Sequence, residues 1–307
     1  MTHPRDAVQA AHRLIAPDIR ETPAMLLPGI AAAKLELLQL SGSFKARGAF
    51  HRMRRAGVGA AGVIAASGGN HGAAVAAAAQ ALGVAAEIFV PAISSPAKQA
   101  LIRRFGAALT VGGATYDEAR QASEARAAAT GALVVHAYDQ QEVLEGQATC
   151  ALEWERQQPG LSHLLVAVGG GGLLGGFATW HAAGAATLVA VEPEGCPCLA
   201  MALQAGRPVP APVGGLAADS LGARQVGALG FARAAALHAA GRLVSVLVPD
   251  AAIAAARRRL WEEARLASEP GGAAALAALL SGRWAPPPGA RPGVLLCGAN
   301  TDPAGLA

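Results

Sequence analysis

Lysine is almost missing from this chain. Of 25 basic residues, only Lys34, Lys45 and Lys98 are lysines and the rest are arginine. A guanidinium stays charged, whereas an amine can lose its proton and attack a carbonyl, so the lysines that persist are candidates for that chemistry. Charged residues of all kinds make up 15% of the chain, well below the usual quarter of a soluble protein. The net charge of +4 is scattered, aromatics are only 4%, and no basic run is interleaved with aromatics, which excludes a nucleic-acid partner. The densest basic cluster, Arg257, Arg258 and Arg259, sits beside Glu262 and Glu263 and reads as a solvated helix face.

The four cysteines show no paired zinc spacing, and Cys196-Pro197-Cys198 is too tight for an ordinary disulfide. That pattern suits a reducing compartment and a cytoplasmic setting. The first 15 residues carry Arg5, Asp6 and Arg13 with no apolar core, so no signal peptide is expected. The uncharged run from Leu164 to Trp180 holds six glycines, which mark a strand, a loop and a helix start and exclude a membrane span.

What the chain does have is apolar residues, 53%, mostly alanine and aliphatic. Short apolar runs predict strands at 62–66, 86–90, 107–111, 133–136, 164–168, 188–191, 243–248 and 294–297. Between them, alanine-rich segments predict helices at 71–82, 116–129, 140–157 and 250–267. This alternation indicates an α/β protein with mainly parallel sheets flanked by helices. The proline-rich segments 207–212 and 285–292 read as exposed loops.

Four segments carry candidate chemistry. In Ser41-Gly42-Ser43-Phe44-Lys45, a turn and N-cap at Gly42 and Ser43 would put Lys45 in the first turn of a helix, whose positive end lowers an amine's pKa. Gly169, Gly170, Gly171 and Gly172 follow an apolar strand and precede a helix starting near Leu173, an arrangement that aims free N–H groups at a phosphate. The same window, as Gly170-x-Gly172-x-x-Gly175 with Glu192 after the next strand, also satisfies a dinucleotide fingerprint and would fit an NAD-dependent oxidoreductase. Ser67, Gly68, Gly69, Asn70 and His71 lie between a strand and a helix, with backbone N–H groups ready for a carboxylate. Asn70 alone could equally be a helix cap, and His71 a packed structural histidine. Cys297 ends the last strand, either as a buried structural thiol or as a site residue.

Taken in order, 34–48, Ser67 through Gly72, Gly169 through Leu173, and Cys297-Gly298-Ala299-Asn300 resemble the four signatures of the fold type II pyridoxal-phosphate enzymes, most closely the serine/threonine dehydratases. Weaker matches occur at Gly146-Gln147-Ala148-Thr149 and Ser268-Glu269-Pro270-Gly271. The resemblance runs from about Thr22 to Asp302. It implies a two-domain, tryptophan synthase β-like fold: a discontinuous large cofactor-binding domain of 1–51 and 142–307, and a small α/β domain of 52–141. It implies pyridoxal 5'-phosphate on Lys45, phosphate held by Gly169 through Leu173, Asn70 at the phenolic oxygen and Cys297 at the pyridine nitrogen. Substrate carboxylate would be held by Ser67, Gly68, Gly69, Asn70 and His71.

The expected reaction is β-elimination of L-threonine or L-serine to a 2-oxo acid plus ammonia, with Lys45 as both anchor and base and amino-acid catabolism as the setting. Another β-hydroxy amino acid such as 3-hydroxyaspartate is the alternative substrate. An NAD oxidoreductase or a catalytically silent ligand-binding relative is the alternative class. A homodimer is expected, with a small-molecule amino-acid substrate and neither nucleic acid nor membrane as partner. Two departures refine this. Gly68 stands where serine-racemising relatives carry an acid for the opposite face, so racemisation should be poor. Glu192, Cys196 and Cys198 stand at the positions of a divalent-cation site whose last ligand is an aspartate, so no metal is expected. Only Thr301 through Ala307 follow Asn300, so no regulatory domain and no end-product control are expected.

Overall fold

Apolar strands and alanine-rich helices alternate along the chain to build two sheets. The computed structural model describes residues 3–67, 69–92, 94 and 96–306. The strands are β1 (Ala24–Leu27), β2 (Ala31–Lys34), β3 (Val63–Ala66), β4 (Ala86–Val90), β5 (Ala108–Val111), β6 (Leu133–Val134), β7 (His163–Ala167), β8 (Thr187–Pro193), β9 (Leu243–Val248) and β10 (Pro292–Leu295). The first half of the chain supplies helices α1 (Pro4–Ile15), α2 (Lys45–Ala56), α3 (Asn70–Leu82), α4 (Pro96–Arg104), α5 (Tyr116–Thr130) and α6 (Gln141–Gln157). The second half supplies α7 (Gly172–Trp180), α8 (Cys198–Ala205), α9 (Ala218–Leu221), α10 (Ala228–Ala239), α11 (Asp250–Ala264) and α12 (Pro270–Leu280).

The larger sheet runs β1-β2-β10-β7-β8-β9 and is parallel except where β1 meets β2. The smaller runs β5-β4-β3-β6 and is parallel throughout. Parallel order places the carboxyl ends of β7, β8 and β10 on one edge of their sheet, where α/β proteins bind ligands. The central strands β3, β7 and β8 are buried on both faces beneath helices, whereas the edge strands β1 and β5 are largely exposed. Trp154 and Phe177 pack edge-to-face at 6.3 Å in the core of the larger sheet. Buried alanines along α3 and α12 let those helices lie close to their neighbours.

Strands β1 and β2 were not expected from the sequence. Alanine is a weak strand former, and 31–34 reads Ala-Ala-Ala-Lys. Pairing with β10 fixes β2 as a strand, and the charge of Lys34 is neutralised internally. Its ammonium meets Glu153 at 2.5 Å, the Thr22 carbonyl at 2.6 Å and Gln157 at 2.8 Å. Arg47 joins the same cluster, reaching Glu36 at 2.7 and 2.8 Å, Glu153 at 3.0 Å and Thr149 at 3.2 Å. All four charged side chains are fully buried, and their two positive and two negative charges balance. Gly146 allows this arrangement, since a side chain there would collide with the Arg47 carbonyl where α6 crosses α2. The weak match at 146–149 thus marks a helix crossing and an ion cluster. Among the described residues, no helix is long and apolar enough to cross a membrane.

Candidate active site

Lys45 is held in place by its own chain neighbours. The segment before it lies along the end of β10: Leu37 N–H donates to Leu296, Phe44 N–H donates to Cys297, and Ala299 N–H donates to Gly42. Ser43 and Gly298 form an isolated antiparallel bridge. These bonds bring Lys45 beside Cys297, which lies near the other end of the chain, and set the start of α2. The expected Ser43 cap is corrected by this geometry. Ser43 is extended and consumed by the bridge, its hydroxyl makes no hydrogen bond among the described residues, and Phe44 occupies the N-cap.

One cavity is lined by Lys45, Asn70, Gly169, Gly170, Gly171, Gly172, Leu173 and Cys297. Phe44, Tyr138, Ser220 and Glu269 complete much of its wall. The Lys45 amine donates to the Ala137 carbonyl at 2.6 Å and lies 5.2 Å from the Phe44 ring centre. Burial lowers its pKa to about 8, against a smaller opposing pull from Cys297 and Glu269. Desolvation lowers the amine's pKa, where the sequence had pointed to the helix end.

Gly169, Gly170 and Gly171 lie in the turn between β7 and α7, and Gly172 opens the helix. Gly171, at φ +85°, caps the helix in a left-handed conformation that favours glycine. A side chain at Gly170 would run into the Tyr138 ring, which lies against the loop. Among the described residues, the N–H groups of Gly170, Gly171, Gly172 and Leu173 find no acceptor in the chain. Four orphan donors at a helix N-terminus make an anion cradle.

Asn70 opens α3, but Gly69 is the cap and the Asn70 side chain does not bond its own helix. Its Nδ2 donates to Glu269 at 2.5 Å, and its Oδ1 accepts from Asn300 Nδ2 at 2.7 Å. Asn300 also donates to the Ser41 carbonyl at 2.8 Å. Asn70 is thus oriented by two side chains, with one N–H of its amide left over. Cys297 places its thiol 3.6 Å from the Gly271 carbonyl, and burial pushes it well above the ordinary thiol range, so it is neutral.

Ser67, Gly69 and His71 lie outside the cavity lining, and Gly68 lies outside the described residues. The Ser67 hydroxyl accepts from Gly69 N–H at 3.2 Å. His71 is buried with Nε2 2.8 Å from the Val135 carbonyl, and burial lowers its pKa to about 3, so the ring is neutral.

Glu192 is fully buried and its two oxygens accept from Leu199 N–H at 2.7 Å and Ala200 N–H at 2.8 Å, at the start of α8. A ribose-binding acid must keep those oxygens for its ligand, so the dinucleotide fingerprint lacks its acidic partner here. Cys198 donates to the Gly169 carbonyl at 3.1 Å and Cys196 to the Gly214 carbonyl at 3.2 Å, both as protonated thiols raised by burial. The chemistry of the cavity matches pyridoxal phosphate instead: an amine of lowered pKa, an orphan N–H cradle, a neutral thiol and an amide with a spare donor. Glu269 and Tyr138 carried little or no sequence signal. Glu269 belongs to the weaker match at 268–271, and Tyr138 to no motif.

Comparison with known proteins agrees. The family model described as pyridoxal-phosphate dependent enzyme matches residues 15–298. Phenylserine dehydratase of Ralstonia pickettii is 37% identical over 293 residues, covering 92% of this chain and 86% of its own. The solved T.th. threonine deaminase superposes with a TM-score of 0.86 at 33% identity, covering 97% of this chain and 98% of that one. Maize serine racemase superposes with a TM-score of 0.90 at 28% identity, covering 98% and 95%.

Proposed function

Since the chain belongs to the pyridoxal-phosphate dependent enzymes, we propose that it is an ammonia-lyase that eliminates the β-hydroxyl of L-threonine or L-serine, giving a 2-oxo acid and ammonia. The observation that carries this reading is the meeting of Lys45, Cys297 and the orphan N–H groups in one cavity. The dehydratase and deaminase names of its relatives support the substrate class.

Pyridoxal phosphate, when bound, supplies an electron sink that acidifies the substrate's Cα–H bond. Lys45 would hold it through Nζ, and the N–H groups from Gly169 to Leu173 would hold its phosphate. The spare N–H of Asn70 serves the phenolic oxygen. Cys297 would face the ring nitrogen, where a thiol kept neutral by burial would not supply the proton that a carboxylic acid would. The free Lys45 amine would take the substrate's Cα proton; a pKa near 8 leaves a useful free fraction close to neutrality. The segment with Ser67, Gly69, Asn70 and His71 would hold the substrate carboxylate, beside the cavity that Asn70 lines.

We assign the cofactor domain to 1–51 and 142–307 and the small domain to 52–141, a division consistent with β3 through β6 forming their own sheet. A reducing cytoplasmic setting is supported by four buried free thiols. A homodimer is supported by the exposed Leu26 on edge strand β1. A catabolic role goes with the same reading. The test is a panel of L-threonine, L-serine, 3-hydroxyaspartate and phenylserine, assayed for 2-oxo acid. Preference for threonine or serine supports the proposal; preference for phenylserine would move the substrate assignment towards the Ralstonia relative.

A further inference from the structure

The departing β-hydroxyl needs a proton, and the cavity contains few groups able to give one. Its described titratable lining consists of Lys45, Cys297, Tyr138 and Glu269. Lys45 is occupied as the base. The Cys297 thiol and the Tyr138 phenol are both pushed by burial above their ordinary ranges, making them poor acids. Glu269 is 5% exposed and holds one side-chain hydrogen bond, from Asn70. Lys98, whose charge acts on it, is paired with Asp219 instead. Gly298 has no room for a side chain because the Glu269 carboxyl fills the space.

We propose that Glu269 is the acid that protonates the departing β-hydroxyl, a role that rests on the β-elimination reading above. Lys45 takes the Cα proton, and the electron pair left at Cα forms the Cα–Cβ double bond. The Cβ–O bond breaks with its pair on oxygen, the Glu269 carboxyl gives that oxygen its proton, and water leaves. Lys45 ends as an ammonium and Glu269 as a carboxylate; passage of the proton from one to the other restores both.

The surroundings hold the carboxyl's pKa close to neutrality, so that its acid form is well populated there. Burial raises its pKa to about 7, against the Asn70 hydrogen bond and the positive charge of Lys98. Asp219 raises it further and Arg257 opposes, while Lys45 and Cys297 face it across the cavity. Because the acid form is required only when the leaving group needs a proton, serine turnover falls relative to that of a substrate with a better leaving group as pH rises through this midpoint, while both share the rise that frees the Lys45 amine.

The experiment compares L-serine with β-chloro-L-alanine, whose chloride leaves without a proton. Wild type, Glu269→Gln and Glu269→Asp holoenzymes are assayed across pH. Glu269→Gln, whose amide oxygen can still accept from Asn70, should lose serine turnover by ~10²–10⁴-fold, the usual worth of a general acid, and should lose much less of its chloride elimination, which needs no acid. Glu269→Asp should restore part of the serine activity. In wild type, the ratio of serine to chloroalanine turnover should fall above neutral pH. Infrared difference spectra of wild type against Glu269→Gln holoenzyme should contain a protonated-carboxyl band at pH 6 that fades at higher pH. Equal loss on both substrates, no loss on either, or absence of that band overturns the proposal. If wild type eliminates chloride but never dehydrates any hydroxy amino acid, the proposed function falls as well, which separates the two failures.

Discussion

The Lys45 amine donates to the Ala137 carbonyl at 2.6 Å, which ties the first turn of α2 to the loop that carries Tyr138. The amine is aimed into the cavity by backbone and not by a carboxylate. Its proton is therefore easily lost, and the side chain can serve first as an electrophile's anchor and then as a base.

Borohydride treatment of the purified yellow protein should fix the cofactor on Lys45 and on neither Lys34 nor Lys98. Lys34 is sealed in the buried ion cluster, and Lys98 is paired with Asp219. Peptide mass spectrometry reads this directly. Label on another lysine, or a colourless protein that binds NAD, would contradict the assignment.

Cofactor uptake by the cofactor-free protein should rise with pH to a plateau with a midpoint near 8. Only the neutral amine attacks the aldehyde, and burial has brought its pKa down from 10.5 to about 8. Protonation below that pH removes the nucleophile, so uptake slows on acidification. A rate still climbing at pH 10 would mean that the lysine is unperturbed. Stopped-flow absorbance at several pH values distinguishes the two.

Gly170→Ala should weaken cofactor binding at least tenfold, about 1.4 kcal/mol. The added methyl would enter the space of the Tyr138 ring and displace either the ring or the N–H cradle. Spectroscopic titration with pyridoxal phosphate measures the effect. Unchanged affinity would show that the loop tolerates a side chain and that the close approach is not needed.

Arg47→Leu should cost about 3–5 kcal/mol of stability, because it leaves Glu36 and Glu153 buried with only Lys34 to balance them. Denaturant unfolding with the cofactor held constant reads the loss. A change below about 1 kcal/mol would show that the cluster relaxes to admit water.

Chelation should leave activity unchanged. Glu192 spends both oxygens on the start of α8, and the Cys196 and Cys198 thiols stay protonated against backbone carbonyls. Loss of turnover with EDTA, restored by magnesium, would place a cation elsewhere in the molecule.

Much of this architecture was legible in the sequence because parallel strands buried on both faces must be continuous apolar runs. All eight anticipated strands formed, with ends shifted by up to two residues; β6, for example, stops at Val134, because Gln140 takes the next free N–H at His136. β2 was illegible because its pairing depends on β10, nearly the whole chain away, and its lysine on Glu153. Lys45, Asn70, the glycines and Cys297 stood out because each sits in a distinctive local pattern, and the structure brings them to one cavity. Glu269 and Tyr138 reach that cavity from single ordinary-looking positions. Only the fold, by pressing Tyr138 on Gly170 and Glu269 on Asn70, reveals them. Ser43 misled for a related reason: a serine before a helix usually caps it, but here the backbone bridge to Gly298 takes precedence.

The most direct measurement is the yield of 2-oxo acid and ammonia from L-threonine and L-serine, with wild type and Lys45→Ala compared under saturating pyridoxal phosphate. The account predicts equimolar 2-oxo acid and ammonia from wild type, and a loss of at least ~10³-fold in Lys45→Ala, because one side chain is both anchor and base. Absence of 2-oxo acid from wild type with every hydroxy amino acid, or substantial turnover retained by Lys45→Ala, would contradict it.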